Sequence, residues 1–133
     1  MRLRVLSRAD VEAALDRVAA VVPLQGAATL VGLAGSVTTV AATVLKLDSY
    51  EPARIHRSRL AVDDVMSACD RLLAMSHAER AALPFMHPGR VDVIGAGALV
   101  WRCIVERLVA ESGLTEVVVS EHDILDGIAF SIA

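Results

Sequence analysis

Ala28-Thr29-Leu30-Val31-Gly32-Leu33-Ala34-Gly35-Ser36-Val37-Thr38-Thr39-Val40-Ala41-Ala42-Thr43-Val44-Leu45 changes character at its middle. Its first six residues form an apolar run too brief for a helix and without alternation, the pattern of a strand covered on both faces. The run predicts a central parallel strand over Ala28–Leu33. Ala34-Gly35 then reads as a turn. From Ser36 to Leu45, Val37, Val40, Ala41 and Val44 fall on one helical face, with the Ser36 hydroxyl placed to cap that helix. A strand, a turn and a helix in this order announce an α/β protein.

Upstream, Ser7 and Asp10 form a capping box with Asp in place of Glu, and Val11, Leu15, Val18 and Val22 repeat at helical spacing until Pro23. Downstream, Lys46–Arg59 is polar, contains Pro52 and reads as a loop with a cationic cluster. An amphipathic helix is expected from Val62 to Met75, burying Val62, Val65, Met66, Cys69, Leu72 and Leu73. Ser76-His77-Ala78-Glu79 is a second capping box, and Pro84 ends the turn or two that it opens. Arg90 to Glu111 predicts a long helix with Val91, Ile94, Ala98, Trp101, Val105 and Leu108 stepping by three and four, stopped by Gly113. Glu116–Ser120 is the second buried strand, expected to lie parallel to the first, and Ile124–Phe130 closes the chain as a short helix. The material between the strands is a largely helical crossover, about 60–112.

The whole chain has 133 residues with 13 Lys+Arg against 16 Asp+Glu, a formal charge of −3, which fits one domain at most. Hydrophobic residues at 55% and charged residues at 22% exclude disorder. The balance also argues against wholesale binding to nucleic acid or an anionic membrane, since both need an excess of cations. Cys69 and Cys103 stand far apart with no C-x-x-C pair, so no disulfide framework or zinc site is expected, and a reduced, cytoplasmic setting follows. The Met1–Leu6 stretch has cations but no apolar core of a secretory signal. Val18–Leu45 runs without a charge, yet Pro23, Gln25, Gly26, Gly32 and Gly35 break it, so it is not expected to span a membrane.

Three stretches offer chemistry. At Gly32-Leu33-Ala34-Gly35-Ser36-Val37-Thr38-Thr39, a glycine-bearing turn opens a helix. Free backbone N–H groups there, with hydroxyls beside them, make an anion site suited to phosphate. The spacing matches neither common nucleotide loop, and a tight packing turn is the alternative. In His87-Pro88-Gly89-Arg90, a cation at the start of a long helix opposes the macrodipole, which suggests that Arg90 is needed for an anion or a carboxylate. Gly95 and Gly97 each cost that helix about 1 kcal/mol relative to Ala and imply close approach of another element. Arg54, His56, Arg57 and Arg59 could attract a polyanion or form a solvated loop. Ser120-Glu121-His122-Asp123 could hold a metal through water, although capping by Ser120 or Asp123 explains it more simply.

Taken together, G-L-A-G-S-V-T-T-V-A-A at Gly32–Ala42, L-D-S-Y-E-P-A-R-I-H at Leu47–His56, H-P-G-R-V-D-V-I-G-A-G at His87–Gly97 and V-V-V-S-E-H-D-I-L-D-G-I at Val117–Ile128 resemble the exopolyphosphatase/guanosine pentaphosphate phosphohydrolase (Ppx/GppA) family. The resemblance covers nearly the whole chain. It implies an actin-like, sugar-kinase and Hsp70-like (ribonuclease H-like) fold, of which residues 1–133 would be a single partial domain, the second half of such an enzyme. The implied reaction is removal of terminal phosphate from polyphosphate or guanosine pentaphosphate, with Mg²⁺ neutralising charge in the complete enzyme. The implied phosphate-binding residues are Gly32, Gly35, Ser36, Val37, Thr38 and Arg90, with Arg54, His56, Arg57 and His87 as further polyanion contacts. The family usually has Thr where Ser36 stands, and the hydroxyl is kept. Its glycine-rich D-I-G-G-G-S-type loop and water-activating glutamate do not occur in this sequence. The chain by itself is therefore expected to bind rather than to turn over, with no catalytic residue of its own.

Two short strands bury little by themselves, and a mean hydropathy of +0.55 means much apolar surface for this small sheet. The isolated chain is expected to need a missing N-terminal half or to pair with a second copy as a homodimer. Light scattering at micromolar concentration tests this, and a stable monomer would show that its own helices cover the strands.

Overall fold

The computed structural model describes residues 5–133. Met1–Arg4, part of the stretch read above as lacking a signal sequence, lies outside the described residues. Ser7 caps α1 (Arg8–Ala19) with the expected reciprocal bonds to Asp10. A 3-10 turn at Leu24–Gly26 leads to β1 (Val31–Gly32) and α2 (Gly35–Val44). Next come α3 (Pro52–Ile55), β2 (Arg59–Ala61), α4 (Val62–Ala74) and α5 (His77–Ala81), whose capping box joins Ser76 to Glu79. A second 3-10 turn, Pro88–Arg90, precedes α6 (Ile94–Ser112), and β3 (Glu116–Val119) and α7 (Ile124–Ser131) complete the chain.

The two strands expected from composition do pair in parallel, with Val31 opposite Val118 and Gly32 opposite Val119. The sheet order is β1-β3-β2, so β3 is central and β1 lies at an edge among the described residues. This corrects the expectation of a central first strand covered on both faces: Val31 is 52% exposed, while Val117 and Val119 are buried. A second correction is at Lys46–Arg59, read as a loop: it holds α3, and its last residue opens β2, which no expectation covered and which pairs antiparallel to β3. The three residues of β2 are too few to show alternation. Tertiary pairing, with Leu60 opposite Val117, makes it a strand.

The helices pack as their spacing requires. α6 presents Ile94, Ala98, Trp101, Val105 and Leu108, and α4 presents Val65, Ala68, Cys69 and Leu72, to one core that α2 completes. Gly113 ends α6 in the left-handed region at φ 71°, where glycine carries no Cβ penalty. The apolar face predicted for α1 is buried only at Val11. Val18 and Val22 remain about half exposed. No helix among the described residues is long and apolar enough to cross a membrane.

Both cysteines are free and buried. Burial, followed by the charge of Asp70, pushes the Cys69 thiol up to about 12, and burial also raises Cys103. Since the nucleophile is the thiolate, neither thiol should react with a disulfide reagent at pH 8 until urea unfolds the chain. The raised native value also means that the unfolded state loses its proton first. Stability should therefore be unaffected by this group below about pH 8 and fall as pH climbs past the ordinary thiol value of 9.0. Thiol titration and a pH series of urea midpoints check both.

Candidate phosphate-binding site

The turn after β1 is shaped by one unusual residue. Ala34 caps α2 with φ 74° and ψ 171°, a region that only glycine occupies without strain. That conformation turns the chain from β1 into α2 within two residues. The first N–H groups of α2, at Gly35, Ser36 and Val37, have no carbonyl one turn behind them. The first ladder bond is Thr38 N–H to the Ala34 carbonyl at 3.1 Å. Ser36, expected to cap this helix, sits inside it instead, and no side chain caps α2.

Arg90 approaches the same point from the second 3-10 turn, not from the first turn of a long helix as the sequence suggested. A Cβ on Gly35 would fall on the Arg90 guanidinium, so the missing side chain of Gly35 is the space that Arg90 fills. Two other close approaches lie along the same seam: a Cβ on Gly97 would strike Ser36, and one on Gly32 would meet Val37 at 2.6 Å and Trp101 at 2.7 Å. The expectation that Gly97 and Gly95 mark close approach is met, the latter by the Arg80 guanidinium.

Gly35, Thr38, Thr39, Tyr50, His87 and Arg90 line a cavity of about 480 Å³. Gly32, Ser36 and Val37, grouped with them on sequence, face a different, apolar groove beside β1. Helix geometry divides the motif between the two sides of α2. The Thr38 hydroxyl donates to the Gly35 carbonyl at 3.2 Å, and Thr39 donates to the same carbonyl at 2.7 Å. Both hydroxyls are thus engaged with the helix backbone, and the donors that remain are the backbone N–H groups, Arg90 and, at the rim, the Nε2–H of His87. His87 accepts from Gly89 N–H at 3.0 Å through Nδ1 and is exposed at the cavity rim.

The cationic stretch does not form a patch. Ile55 is buried in the core, Arg54 pairs with Glu51 at 3.3 Å and Arg59 pairs with Glu116 across the sheet. Arg57 takes a left-handed φ of 63° and donates its N–H to Val119 at 2.7 Å. His56 turns toward the end of β3, where its ring stacks on His122 at 4.4 Å and its Nδ1 accepts from Glu121 N–H. Asp123 caps α7, as the simpler reading held.

Sequence reasoning missed Tyr50. Its hydroxyl donates to Glu121 Oε1 at 2.6 Å, and burial with that carboxylate holds its proton above the usual phenol range, against the opposing pull of Thr38 and Arg90. The only signal was its place in the L-D-S-Y motif. Among the described residues no three His, Cys, Asp or Glu side chains converge to hold a metal ion. Mg²⁺ asks for less, one or two carboxylates beside substrate phosphate oxygens and water, and Glu121 is a carboxylate joined to the cavity lining through Tyr50.

The Ppx/GppA phosphatase family model matches residues 4–131. The chain belongs to the Ppx/GppA family. A curated relative of this family, Exopolyphosphatase 2 of Mycobacterium tuberculosis, is 49% identical over 112 residues, which are 84% of this chain and 35% of that protein. The crystal structure of an exopolyphosphatase-like protein superposes with a TM-score of 0.91 at 34% identity, covering 94% of this chain and 41% of the other. The Aquifex aeolicus Ppx/GppA phosphatase, type II variant, gives 0.75 at 22% identity over 93% of this chain and 39% of the other, a likeness of fold. The chain thus spans about a third of the length of the curated Ppx/GppA relatives it matches, and its fold is part of the actin-like one that Ppx/GppA structures share.

Two substitutions separate strain from contact. Ala34→Gly should stabilise the chain by about 1 kcal/mol, because the strained region costs 1–3 kcal/mol for a side chain and glycine adds back some unfolded-state entropy. Gly35→Ala should shift the urea midpoint little, since the group it meets is the far end of a flexible side chain. It should displace Arg90 and weaken phosphate or polyphosphate binding about tenfold. Calorimetric titration of the two variants, alongside their urea midpoints, checks both.

Proposed function

We propose that this chain is the C-terminal part, a single partial domain, of an exopolyphosphatase-like hydrolase. Its task there is to hold the phosphate groups of polyphosphate or guanosine pentaphosphate. One observation carries the reading: the Arg90 guanidinium lies against Gly35 at the N-terminus of ten-residue α2. Among the described residues it makes no ion pair. A guanidinium and a helix N-terminus repel each other, and an anion between them turns that repulsion into attraction for both.

Hydrolysis of a phosphoanhydride spreads charge over the oxygens of the transferred group. A fork of N–H donors fixed before the reaction stabilises that charge without reorganisation. Arg90 and the Gly35–Val37 amides supply the fork in this reading. A divalent metal, which the exopolyphosphatase family generally suggests, would neutralise phosphate charge further, with one or two carboxylates and the phosphate oxygens themselves as its ligands. Glu121, joined to the cavity lining through Tyr50, accepts that residue's hydroxyl proton. The residue that orients water would come from polypeptide facing this chain, as in a complementary N-terminal half.

The chain alone should bind polyphosphate and release no phosphate from it. Arg90→Lys should weaken that binding about tenfold, since an ammonium cannot reproduce the planar two-point contact of guanidinium with phosphate oxygens. Equal affinity of Arg90→Lys and the parent would assign Arg90 to structure. Phosphate release after adding a separately made N-terminal half would mark this chain as a working enzyme part. Binding without release would mark it as a non-catalytic module of the same fold.

A further inference from the structure

His87 is tied to the turn that carries Arg90 by two hydrogen bonds. Its carbonyl accepts the Arg90 N–H at 2.8 Å, and its Nδ1 accepts the Gly89 N–H at 3.0 Å. A ring nitrogen accepts only where it carries no proton, so the proton of the neutral ring stands on Nε2. A Cβ on Gly89 would lie 3.2 Å from the same Nδ1, which shows how closely the ring lies against the turn. The backbone of the turn thus holds the imidazole in one tautomer. Among the described residues nothing takes the Nε2 proton.

The cavity offers few other side-chain donors. Thr38 and Thr39 are engaged with the Gly35 carbonyl, and Tyr50 gives its proton to Glu121. Arg90 and His87 remain, since the other lining side chains have no polar hydrogen. These two stand at different depths. Arg90 is partly buried, with its guanidinium against Gly35 at the start of α2, whereas His87 is exposed at the rim. A cavity of about 480 Å³ has room for more than one phosphate group. A ligand that begins at Gly35 and Arg90 and continues toward solvent therefore passes the His87 ring.

We propose that His87 distinguishes a phosphoanhydride from free phosphate: its Nε2–H donates to an oxygen of the phosphate group next to the one held by Gly35 and Arg90. Orthophosphate has no second group and leaves that N–H to water. A chain of phosphates satisfies it, and a site built to donate a hydrogen bond discriminates against a ligand that cannot accept it. This specificity rests on the phosphate reading proposed above.

Calorimetric titration of the chain with tripolyphosphate and with orthophosphate, both without metal, tests the assignment. His87→Asn keeps an oxygen able to accept the Gly89 N–H, as asparagine does at helix caps, but has no donor at the reach of Nε2. It should weaken tripolyphosphate about tenfold, the loss of one hydrogen bond to a charged group, and orthophosphate less than twofold. His87→Gln carries an amide N–H to nearly the position of Nε2 and should restore most of the tripolyphosphate affinity. Equal losses for both ligands in His87→Asn would make His87 a support for Arg90 alone and overturn the proposal. Unchanged affinity for both, or a His87→Gln chain as weak as His87→Asn, overturns it as well. So does a ¹⁵N spectrum of the parent that puts the ring proton on Nδ1. A parent chain that binds neither anion removes the phosphate reading itself, whereas a parent that binds both, with no selective loss in His87→Asn, leaves that reading standing and removes only the role of His87.

Discussion

The seam between α2 and α6 rests on three missing Cβ atoms. Gly32 admits Trp101, Gly35 admits the Arg90 guanidinium and Gly97 admits Ser36, so the β1–α2 turn packs closely on α6 and on the turn before it. Everything that could recognise an anion hangs on that contact. With a side chain at Gly97, α6 would stand off from α2, and Arg90, four residues before α6 begins, would stand off with it. The helix cost of Gly97, about 1 kcal/mol relative to Ala, is the free energy spent on this approach.

The electrostatics follow from the packing. In proteins a cation is ordinarily found at the C-terminus of a helix, where the macrodipole favours it. Here packing holds Arg90 at the N-terminus of α2, and the threonine hydroxyls that might have offset it donate inward to the Gly35 carbonyl. The result is a place with more donors than acceptors at the edge of a cavity, backed by the strained Ala34. Strain in a turn and repulsion between like poles both persist only where the surrounding core over-determines them. That core is the α2–α4–α6 cluster packed on Val117 and Val119.

The same small chain leaves much apolar surface open. The edge of β1 and its groove, with Leu30, Val31, Leu33, Val100 and Ile104, expose side chains of the kind that elsewhere form cores. In α7, Ile124, Leu125, Ile128 and Phe130 do the same. The chain spans about a third of the length of its curated relatives, and these are the apolar faces that its described residues leave open.

By itself the sequence determined what depends on local periodicity and on caps. The Ser7 and Ser76 boxes, the α4 and α6 faces, the Gly113 stop and the apolar runs that hold β1 and β3 were legible because neighbours within four residues carry those signals. The four motifs in order also pointed to the family, and named Gly35 and Arg90 separately as phosphate-binding candidates; their contact is visible only in the structure. What only the tertiary structure decided were features made by partners distant in the chain. β2 is a strand because β3 pairs with it, Tyr50 belongs to the site because Glu121 lies beyond it, and Gly32, Ser36 and Val37 leave the cavity because α6 takes their side of α2. Strand pairing and close approach between segments tens of residues apart depend on where the rest of the chain has packed, and no local spacing encodes that position.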